Sequence, residues 1–187
     1  MADILKPLFS KADIRKTVKR LAETISRDYQ GEEVICVCIL KGSFMFTSDL
    51  VREIKIPTIV EFIRVSSYGK GMSSKGAVTI TKDLEMDISG KNVLVIEDII
   101  DSGLTLKWIR DTLLARNPKT LKIVCLVDKK TRRRVDVPCD YVGFTIEDGF
   151  IVGYGIDYAE KYRNLPEILV VEKSRPQAPT CGRKRRE

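Results

Sequence analysis

Apolar residues recur at two different periods along this chain, and the switches between them outline most of its elements. Over residues 11–30, Ile14, Val18, Leu21 and Ile25 return at helical spacing among charged residues, which predicts an amphipathic helix. VICVCILK (34–41) is an unbroken apolar run ending in a cation, the pattern of a strand buried on both faces. SFMFTSDLVREI (43–54) returns to helical spacing. TIVEFIRVSSY (58–68) is a strand that runs into YGKGMSSKG (68–76), whose glycines, serines and lysines predict a long exposed loop. VTITKDL (78–84) and NVLVIED (92–98) are strands, the second apolar until its final acids. A helix over 104–116 presents Trp108, Ile109, Leu113 and Leu114 on its apolar face and ends before Pro118. LKIVCLVD (121–128), YVGFTI (141–146) and EILVVE (167–172) complete the set.

Strands alternating with helices, with β-branched apolar residues in the strands, argue for an α/β fold: a parallel twisted sheet flanked by helices. In open sheets of this kind ligands bind outside the carboxyl ends of the strands. Three polar segments lie at such ends: LKGS after the first strand, EDIIDSGLT after 92–98, and DKKTRRR after 121–128. Their coincidence directs attention to that edge of the sheet.

Composition narrows the chemistry. A chain of 187 residues, 43% hydrophobic, suits one domain, expected over 1–173, with a basic and disordered tail over 174–187. The net charge is +7, but that tail carries five Lys or Arg and one Glu, leaving +3 for the rest. Nucleic acid is therefore not the expected partner. No apolar run approaches the ~20 residues of a membrane span. MADILKPLFSKADIRK carries acids and has no secretory apolar stretch, so a cytoplasmic protein without membrane attachment is expected. The five cysteines form no CxxC pair, and three of them (Cys36, Cys38, Cys125) sit in strand-like runs, so they are expected as structural thiols. The chain contains no histidine. That excludes a Ser-His-Asp triad, a Cys-His pair and any His-ligated metal, and leaves proton transfer to Asp, Glu, Lys, Tyr or Cys.

VLVIEDIIDSGLTL (93–106) is where chemistry concentrates. A buried strand ends in Glu97, Asp98 and Asp101, then passes through Ser102, Gly103, Leu104 and Thr105 into a helix. Small residues at a helix N-terminus let free amides surround an anion, which makes a phosphate cradle. The adjoining carboxylates suit a diol, so a ligand such as ribose 5-phosphate would use both halves. The alternative on spacing alone is an acidic helix cap. No GxxxxGK[ST] loop is present.

This segment resembles the phosphoribosyl pyrophosphate signature of the purine phosphoribosyltransferases. LKGS, RVSSYG, EDIIDSGLT, LVDK and DGFIVGYGIDYAEKYRNLP follow in the order of the hypoxanthine-guanine phosphoribosyltransferase family, over residues 30–172. The resemblance implies the type I phosphoribosyltransferase fold, with a small hood formed by terminal segments. It implies formation of IMP or GMP and pyrophosphate from hypoxanthine or guanine and phosphoribosyl pyrophosphate, with Mg2+. By the same resemblance Glu97 and Asp98 bind the ribose hydroxyls, Asp101 is the general base, and residues 101–105 hold the 5′-phosphate. Lys41, Gly42 and Arg163 meet the pyrophosphate, through a loop in which a non-proline cis peptide is typical. Lys129 donates to the purine O6, with neighbouring Lys130 separated from it only by the LVDK alignment. Phe150 stacks on the base, and the Ile151 carbonyl meets its edge. Asp157, with Glu97 and Asp98, faces the magnesium, and Ser67 and Tyr68 begin a loop that closes over the site. A homodimer or homotetramer is implied. Arg132, Arg133 and Arg134 are expected as a solvated turn, and Phe150 without the resemblance as core. Ser102 stands where Thr is common in relatives, and Leu104 where some carry Lys. A xanthine-preferring transferase and an RNA-binding regulator on the same fold are the alternatives.

Overall fold

A computed structural model describes residues 4–68 and 77–172. In chain order the elements are β1 (Ile4–Phe9), α1 (Lys11–Asp28), β2 (Val34–Leu40), α2 (Phe44–Glu53), β3 (Thr58–Tyr68), β4 (Ala77–Lys82), β5 (Asn92–Ile100), α3 (Leu104–Leu114), β6 (Thr120–Lys129), β7 (Tyr141–Ile146), β8 (Ile151–Val152) and β9 (Ile168–Glu172). They form a six-stranded sheet, β4-β3-β2-β5-β6-β7, and a three-stranded sheet, β1-β9-β8. The larger sheet is parallel except for β4, which pairs antiparallel with β3 at the edge. The smaller one is antiparallel and joins both ends of the chain, which is the expected hood.

The apolar runs end as the sheet's centre because both of their faces are covered. Cys36, Leu94, Ile96 and Val124 pack with Ile14, Val18, Leu21 and Ile25 of α1 and with Phe46 and Leu50 of α2. The alternate residues Ile35, Val37, Val93, Val95 and Ile123 pack with Leu106, Ile109 and Leu113 of α3. On α3, Ile109 and Leu113 are in the core and Trp108 packs against it as expected, while Leu106 joins them and Leu114 is exposed. α1 opens with a capping box, Asp13 N–H to Ser10 Oγ at 3.2 Å and Ser10 N–H to Asp13 Oδ2 at 3.0 Å. Phe9 stacks on Phe144 at 3.9 Å between centroids and ties the hood to β7.

β1 and β8 were not foreseen. β1 is mostly exposed and has Pro7 at its centre, so it lacks a strand's apolar signature. β8 is two residues long, and its pairing with β9 defines it. Burial pushes the Cys36 thiol up to about 12, as suits a structural cysteine. No helix among the described residues is long and apolar enough to cross a membrane. The loop 69–76, Cys181 and the tail 174–187 lie outside the described residues. Ser67 and Tyr68 end β3, paired with Val78 and Ala77.

Candidate active site

β2, β5 and β6 are neighbours in the sheet, so the three polar segments at their ends converge. The order turns back between β2 and β5, which makes this the topological switch point where open sheets bind ligands.

The β5 end carries the carboxylates. Asp98 is buried, its Oδ1 accepting the Ile99 amide at 2.8 Å, and Glu97 Oε1 accepts the Asp98 amide at 3.2 Å. Burial raises both carboxyls above their usual range, and the adjacent Asp98 charge lifts Glu97 further. Beyond them Gly103, at φ +80°, is the N-cap of α3, and no side chain caps the helix. Ser102 Oγ lies 3.4 Å from the Leu104 amide, a marginal contact. The first intrahelical bond runs from Lys107 N–H to Gly103 O at 2.8 Å. The amides at the start of α3 are thus free for an anion rather than spent on an acidic cap. A cavity of about 140 Å³ lined by Glu97, Asp101, Ser102, Gly103 and Thr105 lies over this turn.

The purine-side candidates meet at Lys129, the last residue of β6. Its side chain is buried, and Nζ donates to Gly149 O at 2.8 Å. The same ammonium is 3.2 Å from Asp148 Oδ1 and 3.9 Å from Asp101 Oδ1. Among the described residues Asp101 Oδ1, itself buried, has no hydrogen-bond donor. Lys130 turns away and pairs with Asp128, so the two lysines face different surroundings. Phe150 is 45% exposed, edge-on to Tyr158 at 5.1 Å, and not in the core. The Val171 amide donates to Phe150 O at 2.7 Å. The next pair, Ile151 with Val170, is then the kind whose backbone groups point away from the partner strand. The Ile151 carbonyl accordingly faces away from β9, on an edge strand.

The third corner is assembled from distant segments. Leu40–Lys41 is a cis peptide, as the resemblance implies. A Cβ on Gly42 would lie 2.0 Å from Asp98 Oδ2, and one on Gly155 would lie 2.0 Å from Gly42 O. Only glycines let the Gly42 backbone meet the Asp98 carboxylate and the Gly155 backbone meet Gly42. Arg163 donates from Nη1 to Gly155 O at 2.7 Å and pairs through Nη2 with Asp157 Oδ1 at 2.8 Å. Its Nε is buried without an acceptor among the described residues. Lys41 Nζ meets Glu160 Oε2 at 2.9 Å.

Arg133 corrects an expectation. It pairs with the buried Asp128, and its Nε reaches Asp101 O at 3.4 Å, while Arg132 and Arg134 stay exposed. The Arg134 amide also donates to Ser102 O at 3.0 Å, so this segment braces the 101–103 turn. Asp128, Arg133, Asp148 and Glu160 were missed as contributors. Three consecutive arginines look like a solvated run, and only the buried Asp128 beneath them selects one. A wider cavity of about 610 Å³ lies between α1, α2 and residues 164–166. Its Asp49 is taken up by Arg52 and by the Tyr154 hydroxyl at 2.6 Å, so the strand-end crevice is the stronger candidate.

A switch-point crevice that joins a helix start with free amides to a carboxylate pair suits a phosphoribosyl transferase. The family described as phosphoribosyl transferase domain matches residues 8–159, and the chain belongs to it, among the hypoxanthine-guanine phosphoribosyltransferases. It is a glycosyltransferase-type enzyme. It is 52% identical over 169 residues to the hypoxanthine-guanine phosphoribosyltransferase of Aquifex aeolicus, covering 90% of this chain and 95% of that one. The hypoxanthine phosphoribosyltransferase of Escherichia coli K12 is 47% identical over 170 residues, covering 90% and 96%. A solved hypoxanthine-guanine phosphoribosyltransferase from Bacillus anthracis superposes with a TM-score of 0.84 at 51% identity, covering 89% of this chain and 98% of that one.

Proposed function

We propose that this enzyme transfers the phosphoribosyl group of phosphoribosyl pyrophosphate to hypoxanthine or guanine, releasing pyrophosphate and IMP or GMP. The observation that carries this reading is the position of Lys129. Its ammonium lies between the Gly149 carbonyl beside Phe150 and the Asp101 carboxylate of the phosphate turn. A purine stacked on Phe150 can then accept from Lys129 at O6 while Asp101 takes its ring proton. Lysine has only donors, so adenine's 6-amino group would face a donor, and a buried mismatch of that kind is heavily penalised.

The purine N9 lone pair forms the bond to C1′ as the C1′–O bond to pyrophosphate breaks, and the purine N7 proton passes to Asp101. Positive charge develops on the ribose in the transition state. Glu97 and Asp98 accept from the ribose hydroxyls and turn the negative ends of their carboxyl dipoles toward it. The amides and hydroxyls of 101–105 hold the 5′-phosphate. Lys41, the Gly42 amide and Arg163 hold the pyrophosphate. Asp157, with Glu97 and Asp98, would face a magnesium ion that is carried by the diphosphate and whose charge would neutralise the leaving group. Among the described residues no group of three or more Asp, Glu, Cys or His side chains converges, so such an ion would still be largely held by ligand oxygens and water. Ser67 and Tyr68 lead into the segment that would exclude water during transfer.

Residues 1–173 are read as the functional unit, working in the cytoplasm. The free thiols Cys36, Cys38, Cys125 and Cys139 fit a reducing compartment. A homodimer or homotetramer is proposed, with Val60 and Phe62, exposed on one face of β3, as a contact surface. One competition assay tests the substrate reading: hypoxanthine, guanine, xanthine and adenine together, with phosphoribosyl pyrophosphate and magnesium. IMP and GMP are the expected products. AMP as the main product would overturn the assignment of Lys129.

A further inference from the structure

We propose that Glu160 is a built-in counter-anion of the diphosphate corner: it occupies Lys41 and Arg163 in place of diphosphate and so weakens the enzyme's hold on that ligand. The inference rests on the reading of Lys41 and Arg163 as diphosphate ligands. A single oxygen of Glu160 lies 2.9 Å from Lys41 Nζ and 3.5 Å from Arg163 Nη2. These are the same two cations, reached from chain positions 119 residues apart in the first case.

The local backbone is shaped to put Glu160 there. Tyr158 and Lys161 exchange backbone bonds at 3.1 and 3.0 Å, closing a two-residue turn. Its central residues, Ala159 at φ +50° and Glu160 at φ +65°, are both left-handed. Such a turn favours Asn-Gly, and left-handed Ala and Glu are strained in it. The Glu160 amide donates to Asp157 Oδ2 at 2.8 Å, which fixes the turn against the magnesium-facing carboxylate. The side chain itself is largely exposed and can swing into solvent without leaving a buried charge.

Arg163 keeps its bonds to Gly155 O and Asp157 when Glu160 leaves. Lys41 has Glu160 as its anionic partner among the described residues. An incoming diphosphate therefore displaces one carboxylate and finds both cations already aligned. Its greater charge prevails, but each binding event must break the existing pairs, and each departure is helped by their return. Ligands without a diphosphate do not compete with Glu160. Exposed ion pairs are individually weak, so removing this one should change affinity by roughly 2–5-fold and not more.

The test is Glu160→Gln, with calorimetric titration of magnesium pyrophosphate and, separately, of IMP, alongside the KM for phosphoribosyl pyrophosphate. Pyrophosphate should bind roughly 2–5-fold tighter and that KM should fall in parallel, with IMP affinity unchanged. Glu160→Gly removes the same charge and relieves the left-handed strain, so it keeps the test open if the glutamine variant fails to fold. Unchanged or weakened pyrophosphate binding in either folded variant overturns the proposal, as does equal tightening of IMP. Wild-type enzyme that binds no pyrophosphate overturns the functional reading and the inference with it. Wild-type binding with no response at position 160 overturns the inference alone.

Discussion

The turn proposed to hold phosphate and the corner proposed to hold diphosphate meet where Gly42 packs on Asp98, and they are built in opposite ways. Residues 97–105 are contiguous, start from a buried strand and present backbone amides beside a buried Asp98 and a partly buried Glu97. The diphosphate corner draws Lys41 and Gly42 from the end of β2 and Asp157, Glu160 and Arg163 from the segment before β9, and its cations are side chains. A backbone cradle survives loss of a side chain. A corner made of exposed ion pairs answers to every change of charge. Binding of the sugar phosphate should therefore be robust, and affinity for the leaving group tunable.

The largest expected effect removes chemistry from the first region while leaving its cradle. Asp101→Ala should slow turnover by roughly 10²–10⁴-fold, the usual worth of a positioned general base, with phosphoribosyl pyrophosphate still bound. Single-turnover kinetics decide it; an unchanged chemical step removes Asp101 from that role. Next is the joint between the regions. Gly42→Ala puts a Cβ 2.0 Å from Asp98 Oδ2 and must displace one loop or the other. A misplacement of that scale costs about 10²-fold in rate. If Gly42→Ala retained wild-type kcat/KM, the two regions would be independent and the comparison would lose its basis.

Lys129→Gln sharpens the purine side. The amide can donate to O6 or accept from a 6-amino group, so discrimination against adenine should relax by about 1–3 kcal/mol. The ratio of kcat/KM values for hypoxanthine and adenine measures this. The same loss from Lys130→Gln, with Lys129→Gln silent, would move the contact by one residue.

The last effect is on stability. Burial and then Asp98 raise the Glu97 carboxyl well above its ordinary 4.5 in the folded enzyme. As pH rises through the ordinary value, the unfolded chain releases this proton and the folded chain keeps it. Stability falls from there until the folded carboxyl ionises, and is fully retained only below the ordinary value. Glu97→Gln removes that slope, so its Tm should gain on the wild type as pH is raised. Parallel Tm curves for the two proteins would show that Glu97 ionises freely when folded.

The same contrast governs what could be read from the chain. The central strands and all three helices were legible because long apolar runs and helical spacing are local signals, with ends shifted by a residue or two. The 97–105 turn was legible because strand, acids, small residues and helix follow one another without a gap. β1 and β8 were not, since neither carries a strand's apolar pattern and each exists through its pairing with β9. Phe150 is a large aromatic, and no local feature marks it as exposed.

The sequence by itself determined the absence of histidine chemistry through composition, and the α/β alternation and the strand-acid-glycine-helix turn at 97–105 because each depends on neighbours along the chain. Tertiary structure alone decided that Lys129 and not Lys130 reaches Asp101, and that Arg133 braces the turn while its neighbours are solvated. It alone placed one glutamate between Lys41 and Arg163. Those outcomes turn on which face of a strand end is buried and which distant loop packs against it. Coulombic and packing contacts across 119 residues leave no periodic trace in the chain that makes them.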